Sequence, residues 1–250
     1  MSASDQAADA FKQRDAGSYD TVSDSFAHFT TRFSQPIAER IVEMAAFAPL
    51  SRVLDVGTGT GIVALAAARR LDTKGHVNAI DLSAGMLATA ERLASIDTAG
   101  TRITWQRMDA EGLEFSDNTF DVVLSLFALL HFPNPLAALR EMRRVLKPDQ
   151  PLVLAVGSSP SMSTFTGWRH ALQMLPTLVR RRVGRELSAP AFLDAMVKKY
   201  LPHSHADEQS ALAGHGHGRV DPVQELARQA DFNDISTEWV GYNHPIATAE

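Results

Sequence analysis

The chain has 250 residues, 45% of them hydrophobic, with a net charge of −5 and no cysteine. That length fits one α/β domain with an insertion and can bury a substantial core. The acidic balance argues against polyanion binding, so no nucleic-acid partner is expected. Without cysteine there is neither a disulfide framework nor a Cys-ligated metal. The most apolar stretch, residues 122–132, is too short to span a bilayer, so no integral membrane association is expected. Residues 1–15 are polar and acidic with no apolar leader, and a cytoplasmic location is the expectation.

In chain order, residues 1–17 read as frayed or loosely helical. Tyr19, Val22, Phe26, Phe29 and Phe33 recur at helical spacing and predict a helix over 19–33. A second amphipathic helix is predicted over 35–47, with Pro36 in its first turn. Strands and helices then alternate: strand 52–56, helix 60–71, strand 76–80, helix 84–95, strands 102–108 and 119–125, helix 134–146, strand 151–156. Apolar strands alternating with helices imply a doubly wound, mostly parallel α/β sheet.

After residue 156 the rhythm breaks. A loop over 157–163 precedes a helix over 164–182 interrupted by Pro176, then a helix near 191–200 and a loop over 202–218 rich in His, Gly and Ser. Asp221 is predicted to cap a helix that has Pro222 at its first position and runs to residue 231. Residues 235–241 read as a sixth strand, and 242–249 make a poor seventh. The organisation predicted is a single domain over 1–250. Residues 1–48 form N-terminal helices, 49–156 a binding core, 157–220 a helical insertion, and 221–250 a C-terminal helix and strand that ends early enough to suggest a truncation.

The run Val53-Leu54-Asp55-Val56-Gly57-Thr58-Gly59-Thr60-Gly61 reads as a buried strand that ends in an acid and turns through three glycines into an Ala-rich helix. Such a turn lets backbone approach a nucleotide-like ligand and offers free amides at the helix start. The dinucleotide fingerprint needs Gly or Ala where Ile62 stands. Asp55 would repel a pyrophosphate but suits a cationic ligand. Asp81 ends the second strand about 20 residues further on, where an acid can accept from both ribose hydroxyls; alone it could equally be a helix-cap residue. Asp55, Asp81, Asp109 and Ser125 all fall at the carboxyl ends of strands, where ligands sit in such sheets.

These residues, with Asp81-Leu82-Ser83-Ala84-Gly85-Met86-Leu87, Met108-Asp109-Ala110, Phe120-Asp121-Val122-Val123-Leu124-Ser125, Leu130-His131-Phe132-Pro133-Asn134-Pro135 and the segment 139–148, occur in an order that resembles the class I S-adenosylmethionine-dependent methyltransferases. The similarity covers residues 53–156 and is nearest the small-molecule enzymes of the ubiquinone/menaquinone-biosynthesis type. It implies a Rossmann-like sheet of the seven-stranded type, an N-terminal helical lid, a helical insertion after strand 5, and S-adenosyl-L-methionine as cofactor. It further implies a small-molecule methyl acceptor reacting at O, N or C. By the same resemblance, Gly57, Thr58, Gly59 and Gly61 lie along the methionine portion. Asp55 orients the amino end through water or backbone, Asp81 and Leu82 hold the ribose, Asp109 and Ala110 read the adenine amine, and Met86 packs on the adenine face. Ser125 borders the site. Lys147-Pro148-Asp149-Gln150 departs from the family's Pro-Gly-Gly turn.

His131 follows the fourth strand, where it can serve as a general base, orient the acceptor or simply cap the loop before Pro133. Methyl transfer demands mainly proximity and alignment, so no base follows from sequence alone. The aromatics of 19–33 read as a lid, with Tyr19, His28 and Phe29 as acceptor-site candidates. His203, His205, His215 and His217 form H-x-H pairs in a glycine-rich loop and predict no metal. Arg180, Arg181, Arg182 and Arg185 read as a solvated helix face. Two alternatives stay open, a nicotinamide-dependent oxidoreductase and a non-catalytic protein of the same fold. Oligomeric state is not legible.

Overall fold

A computed structural model describes residues 3–157 and 220–238; the side chains of residues 3–5, 25, 28–33 and 220–222 are outside that description. Two helices lead: α1 (Ala3–Asp20) and α2 (Ser23–Ala45). Then come β1 (Arg52–Val56), α3 (Ile62–Ala68), β2 (His76–Asp81), α4 (Ala84–Ala94), β3 (Ile103–Arg107), β4 (Val122–Leu126), α5 (Pro135–Val145) and β5 (Leu152–Ala155). Short 3-10 turns occupy Thr98–Arg102 and Leu129–His131, and α6 (Val220–Gln229) closes the described chain. The chain divides into one compact unit of Met1–Val156 with Gln224–Ile235 and another of Gly157–Val223 with Ser236–Glu250.

The sheet is parallel throughout, in the order β3-β2-β1-β4-β5. Order reverses beside β1, whose neighbours are β2 and β4, so the crevice at the carboxyl end of β1 is the topological switch point of a doubly wound sheet. β1 is buried on both faces, with Val53, Leu54 and Val56 at 0% exposure, which is why it reads as an apolar run without alternation. Val53, Val77, Ala79, Val122 and Leu124 meet Val63, Ala64 and Ala67 of α3 in one core.

The N-terminal helices differ from the sequence expectation. Helix does not run over 19–33. α1 already spans Ala3–Asp20, and the break falls at residues 21–22, where the Thr21 hydroxyl donates to the Ser18 carbonyl (2.8 Å) and the Val22 amide to the Tyr19 carbonyl (3.2 Å). A threonine hydroxyl bonded back to the preceding turn competes with the backbone and weakens a helix there. α2 then runs unbroken through Pro36, which lies inside it instead of in a first turn. An interior proline costs about 3 kcal/mol. Burial of Ala38 (0%), Ile41, Val42 and Ala45 in the core offsets that, and makes the second half of α2 a packing helix of the sheet. Helix 60–71 is shorter than expected, and strand 119–125 begins only at Val122. α6 contains Asp221 within its span and gives way to Asp231 at positive φ. Residues 235–238 carry no strand. The remainder of the predicted sixth strand, the seventh, the helices over 164–182 and 191–200, Arg180–182 with Arg185, and the histidines of the 202–218 loop all lie outside the described residues. No described helix is long and apolar enough to cross a membrane. Among the described residues no group of three His, Cys, Asp or Glu is placed to hold a metal.

Candidate functional site

The loop after β1 is built by its glycines. Gly57 (φ +68°) and Gly61 (φ +81°) occupy left-handed backbone where close neighbours exclude a side chain. A Cβ on Gly57 would stand 2.2 Å from that of Ala128, and one on Gly61 would stand 2.7 Å from the Trp105 ring. Gly59 is different, because a Cβ there meets no protein atom within 4 Å. The loop is therefore packed from beneath at its ends and open at its middle.

Asp55 is wholly buried and accepts a 2.6 Å hydrogen bond from the Thr58 hydroxyl. Its Oδ1 has no partner in hydrogen-bond geometry. Burial pushes its carboxyl up to about 7, against the favourable Thr58 hydroxyl and Ala64 amide, and the charge of Asp81 adds to the rise. Asp55 thus holds the loop from within and reaches any ligand only through Thr58 or backbone.

Asp81 joins the ends of β1 and β2. Its Oδ2 accepts from the Gly59 amide (2.8 Å) and its Oδ1 from the Ser83 amide (2.9 Å). Burial holds this carboxyl above its ordinary range despite the amides of Ser83, Gly59 and Leu82 and the field of His131. A carboxylate has about four acceptor sites, more than these three amides occupy. The Ser83 hydroxyl caps α4 by accepting from the Met86 amide (3.1 Å), while Met86 itself is 3% exposed.

The Met108 amide donates to the Asp81 carbonyl (3.1 Å) and brings Asp109 alongside. Asp109 accepts from the Glu111 amide (2.9 Å) through Oδ1 and from Lys12 Nζ (2.7 Å) through Oδ2. Lys12 also reaches Glu111 at 2.7 Å. Burial opposes the Lys12 charge, but its bonds to Asp109 and Glu111 outweigh that and leave its pKa raised. Ala110 is buried beside them. Ser125 does not present a free hydroxyl: it is 1% exposed and donates to the Val56 carbonyl (2.9 Å), closing the β1–β4 seam.

Beyond β4, Phe127 adopts φ +60°, a strained value for a bulky side chain, with its amide bonded to the Ala155 carbonyl (2.8 Å). This turn sets Ala128 under Gly57 and leads to His131. The His131 Nδ1 lies 3.3 Å from Asp15 Oδ2, and its ring meets Tyr19 edge-on at 5.5 Å. Burial, with Asp15 and Asp81, raises the Tyr19 pKa. His28 and Phe29 fall on α2, and their side chains lie outside the description.

The structure therefore gathers Asp55, Thr58, Gly59, Asp81, Leu82 and Ser83 into one network, with Asp109 adjoining and His131 within the field of Asp81. Sequence reasoning missed Lys12, Asp15, Asp20, Glu111 and the strained Phe127. The Asp20 carboxylate accepts from the Ser83 hydroxyl (2.6 Å) and the Gly85 amide (2.7 Å), which holds its carboxyl below the usual range. The spacing Phe11/Lys12, Asp15/Ala16, Tyr19 was the available signal, since it puts those side chains on one face of a helix.

A family model described as a methyltransferase domain matches residues 53–149. The chain is 35% identical over 191 residues to the demethylmenaquinone methyltransferase of Porphyromonas gingivalis, covering 76% of this chain and 74% of that one. It is 32% identical over 165 residues to the ubiquinone/menaquinone biosynthesis C-methyltransferase UbiE of Geotalea daltonii, covering 65% and 66%. Two solved structures share the fold. One is a SAM-dependent methyltransferase of Thermotoga maritima, with TM-score 0.55, 17% identity, and 87% of this chain and 81% of that one covered. The other is phosphoethanolamine N-methyltransferase 2 of Haemonchus contortus, in complex with S-adenosylhomocysteine, with TM-score 0.53, 21% identity, and 80% and 37% covered.

Proposed function

The chain belongs to the class I S-adenosylmethionine-dependent methyltransferases of the ubiquinone/menaquinone type, and from that premise we propose that it methylates a ring carbon of a reduced, hydroxylated aromatic acceptor such as a demethylmenaquinol. The observation that carries the cofactor assignment is the Gly59–Asp81 junction. There the backbone face of Gly59, where a Cβ would meet no atom of the described residues within 4 Å, adjoins the Asp81 carboxylate that accepts from its amide. These residues fit the cofactor: Asp81 for the ribose hydroxyls, the 57–61 loop for the methionine portion, and Asp109 with the buried Ala110 for the adenine. Asp55 stiffens that loop from below through Thr58.

When bound, S-adenosylmethionine supplies a methyl group on a cationic sulfur that departs as a neutral thioether. The protein's own task is to align the acceptor and to take up the proton the acceptor gives up. A hydroquinone ring carbon beside a hydroxyl is nucleophilic, whereas the oxidised quinone is not. The electron pair of the broken O–H or C–H bond stays on the acceptor while the proton passes to His131 Nε2. His131 stands past the end of β4, next to the turn that packs under Gly57, where it can meet the acceptor. The similarity to a demethylmenaquinone methyltransferase and a ubiquinone/menaquinone biosynthesis C-methyltransferase supports the quinone class of acceptor.

The test is incubation with methyl-labelled S-adenosylmethionine and chemically reduced demethylmenaquinone of short side chain. Label appearing on the ring carbon is the expected result. Label transferred only to amines or hydroxyls, under conditions where the quinol is present in excess, would overturn the acceptor assignment.

A further inference from the structure

His131 Nδ1 is buried and no group meets it in hydrogen-bond geometry, yet Asp15 Oδ2 lies within ion-pair distance at 3.3 Å. Both facts describe one contact, close enough to bond but off the N–H line. Catalytic hydrogen bonds are often poorly aligned without substrate and tighten in the complex. Asp15 comes from α1, as does Tyr19 one turn later, whose ring stands edge-on to the imidazole at 82°. Tyr19 is itself held by Phe26, edge-on at 5.6 Å. Among the described residues, the titratable groups facing the imidazole are Asp15 and Tyr19 of α1 and Asp81 at the end of β2.

We propose that Asp15 is a positioning residue for His131. Its carboxylate accepts a hydrogen bond from Nδ1–H, fixes the imidazole tautomer and leaves the Nε2 lone pair for the methyl acceptor. The inference rests on His131 as the group that takes the acceptor's proton. A carboxylate at one ring nitrogen dictates the tautomer, and a neutral imidazole with the wrong tautomer has no lone pair where the base must act. α1 is pinned on either side of Asp15. Lys12 grips Asp109 and Glu111, and Asp20 caps the start of α4 through Ser83 and Gly85. Those anchors lie on the two corners that hold adenine and ribose in the proposed site. Docking of α1 against the cofactor-binding corners is thus what delivers Asp15 to His131, and the base is assembled only when the helix is seated.

The test compares the full chain with its Asp15→Asn variant, both saturated with S-adenosylhomocysteine, by long-range proton–nitrogen spectra of the imidazoles. The wild type should carry its proton on His131 Nδ1, and Asp15→Asn should move most of it to Nε2. Affinity for S-adenosylhomocysteine should stay within twofold, while kcat on the reduced quinone falls at least tenfold with KM unchanged. An Nε2–H tautomer in the wild type, or the same tautomer in both proteins, would overturn the proposal, and the wild-type reading stands even if the variant folds poorly. A His131→Gln variant separates the two readings. If it turns over at the wild-type rate while the tautomer still depends on Asp15, positioning holds and the base role fails.

Discussion

Replacing Asp81 by Asn changes one atom and removes one charge at the junction of β1 and β2. The carboxylate accepts from the Gly59 amide at 2.8 Å and the Ser83 amide at 2.9 Å. Asn can accept with only one oxygen and turns an N–H toward the other amide, so one of those two bonds is lost in the free protein. Two opposing terms act on stability. A hydrogen bond to a charged group is worth about 1.5–3 kcal/mol, but burial already holds this carboxyl above its usual range, so removing the charge recovers desolvation energy. The fold should survive with Tm shifted by only a few degrees. Cofactor binding has no such offset, because ribose hydroxyls lose one or both charge-assisted bonds. At about 1.4 kcal/mol per decade, the dissociation constant of S-adenosylhomocysteine should rise roughly tenfold to a hundredfold. Calorimetric titration reads this directly, with circular dichroism confirming the fold. An unchanged affinity in a folded Asp81→Asn protein would refute the role of this junction.

Three further outcomes follow from the same geometry. Gly57→Ala should lower stability by about 2 kcal/mol or more, because positive φ strain adds to a 2.2 Å approach to Ala128, whereas Gly59→Ala should cost only about 1 kcal/mol of backbone strain yet weaken S-adenosylhomocysteine at least tenfold; thermal melts and titrations of the pair separate packing from ligand space. Asp55, pushed up to about 7 from 3.8, binds more protons folded than unfolded between those values, so the wild type should lose stability as pH rises from 4 to 7. Urea midpoints of Asp55→Asn should lack that decline, whose size is on the order of a few kcal/mol at about 1.4 kcal/mol per unit; parallel pH profiles would contradict it. Lys12→Met should release α1, lowering hydrogen-exchange protection of its amides at least tenfold while the amides of β1 and β4 stay protected; unchanged protection in α1 would show that Lys12 does not hold the helix.

The cofactor-side half of the site was legible because its constraints are local. Asp55, Gly57, Gly59 and Gly61 sit within one strand–turn–helix, and the left-handed backbone is written into the glycine spacing. Asp81 ends β2, and Asp109 follows the end of β3 by two residues. α1 was not legible for the opposite reason. Its polar surface matches a solvated helix until Lys12 meets Asp109 and Asp20 meets Ser83, contacts made only across the folded chain. Ser125 illustrates the limit of position alone. It lies at a strand end, as a ligand contact should, but its hydroxyl is claimed by Val56. Pro36 misled for a third reason: proline marks a helix start by propensity, while burial of Ala38, Ile41 and Val42 carries α2 straight through it. The strain at Phe127 has no sequence signature, since an aromatic residue is a poor candidate for positive φ.

The central claim is that the crevice at the end of β1 holds S-adenosylmethionine and not a dinucleotide. Calorimetric titration of the purified chain with S-adenosylhomocysteine, with NAD in parallel, tests it most directly. Micromolar binding of S-adenosylhomocysteine alone is the predicted result. Binding of NAD without S-adenosylhomocysteine would contradict the account at its foundation.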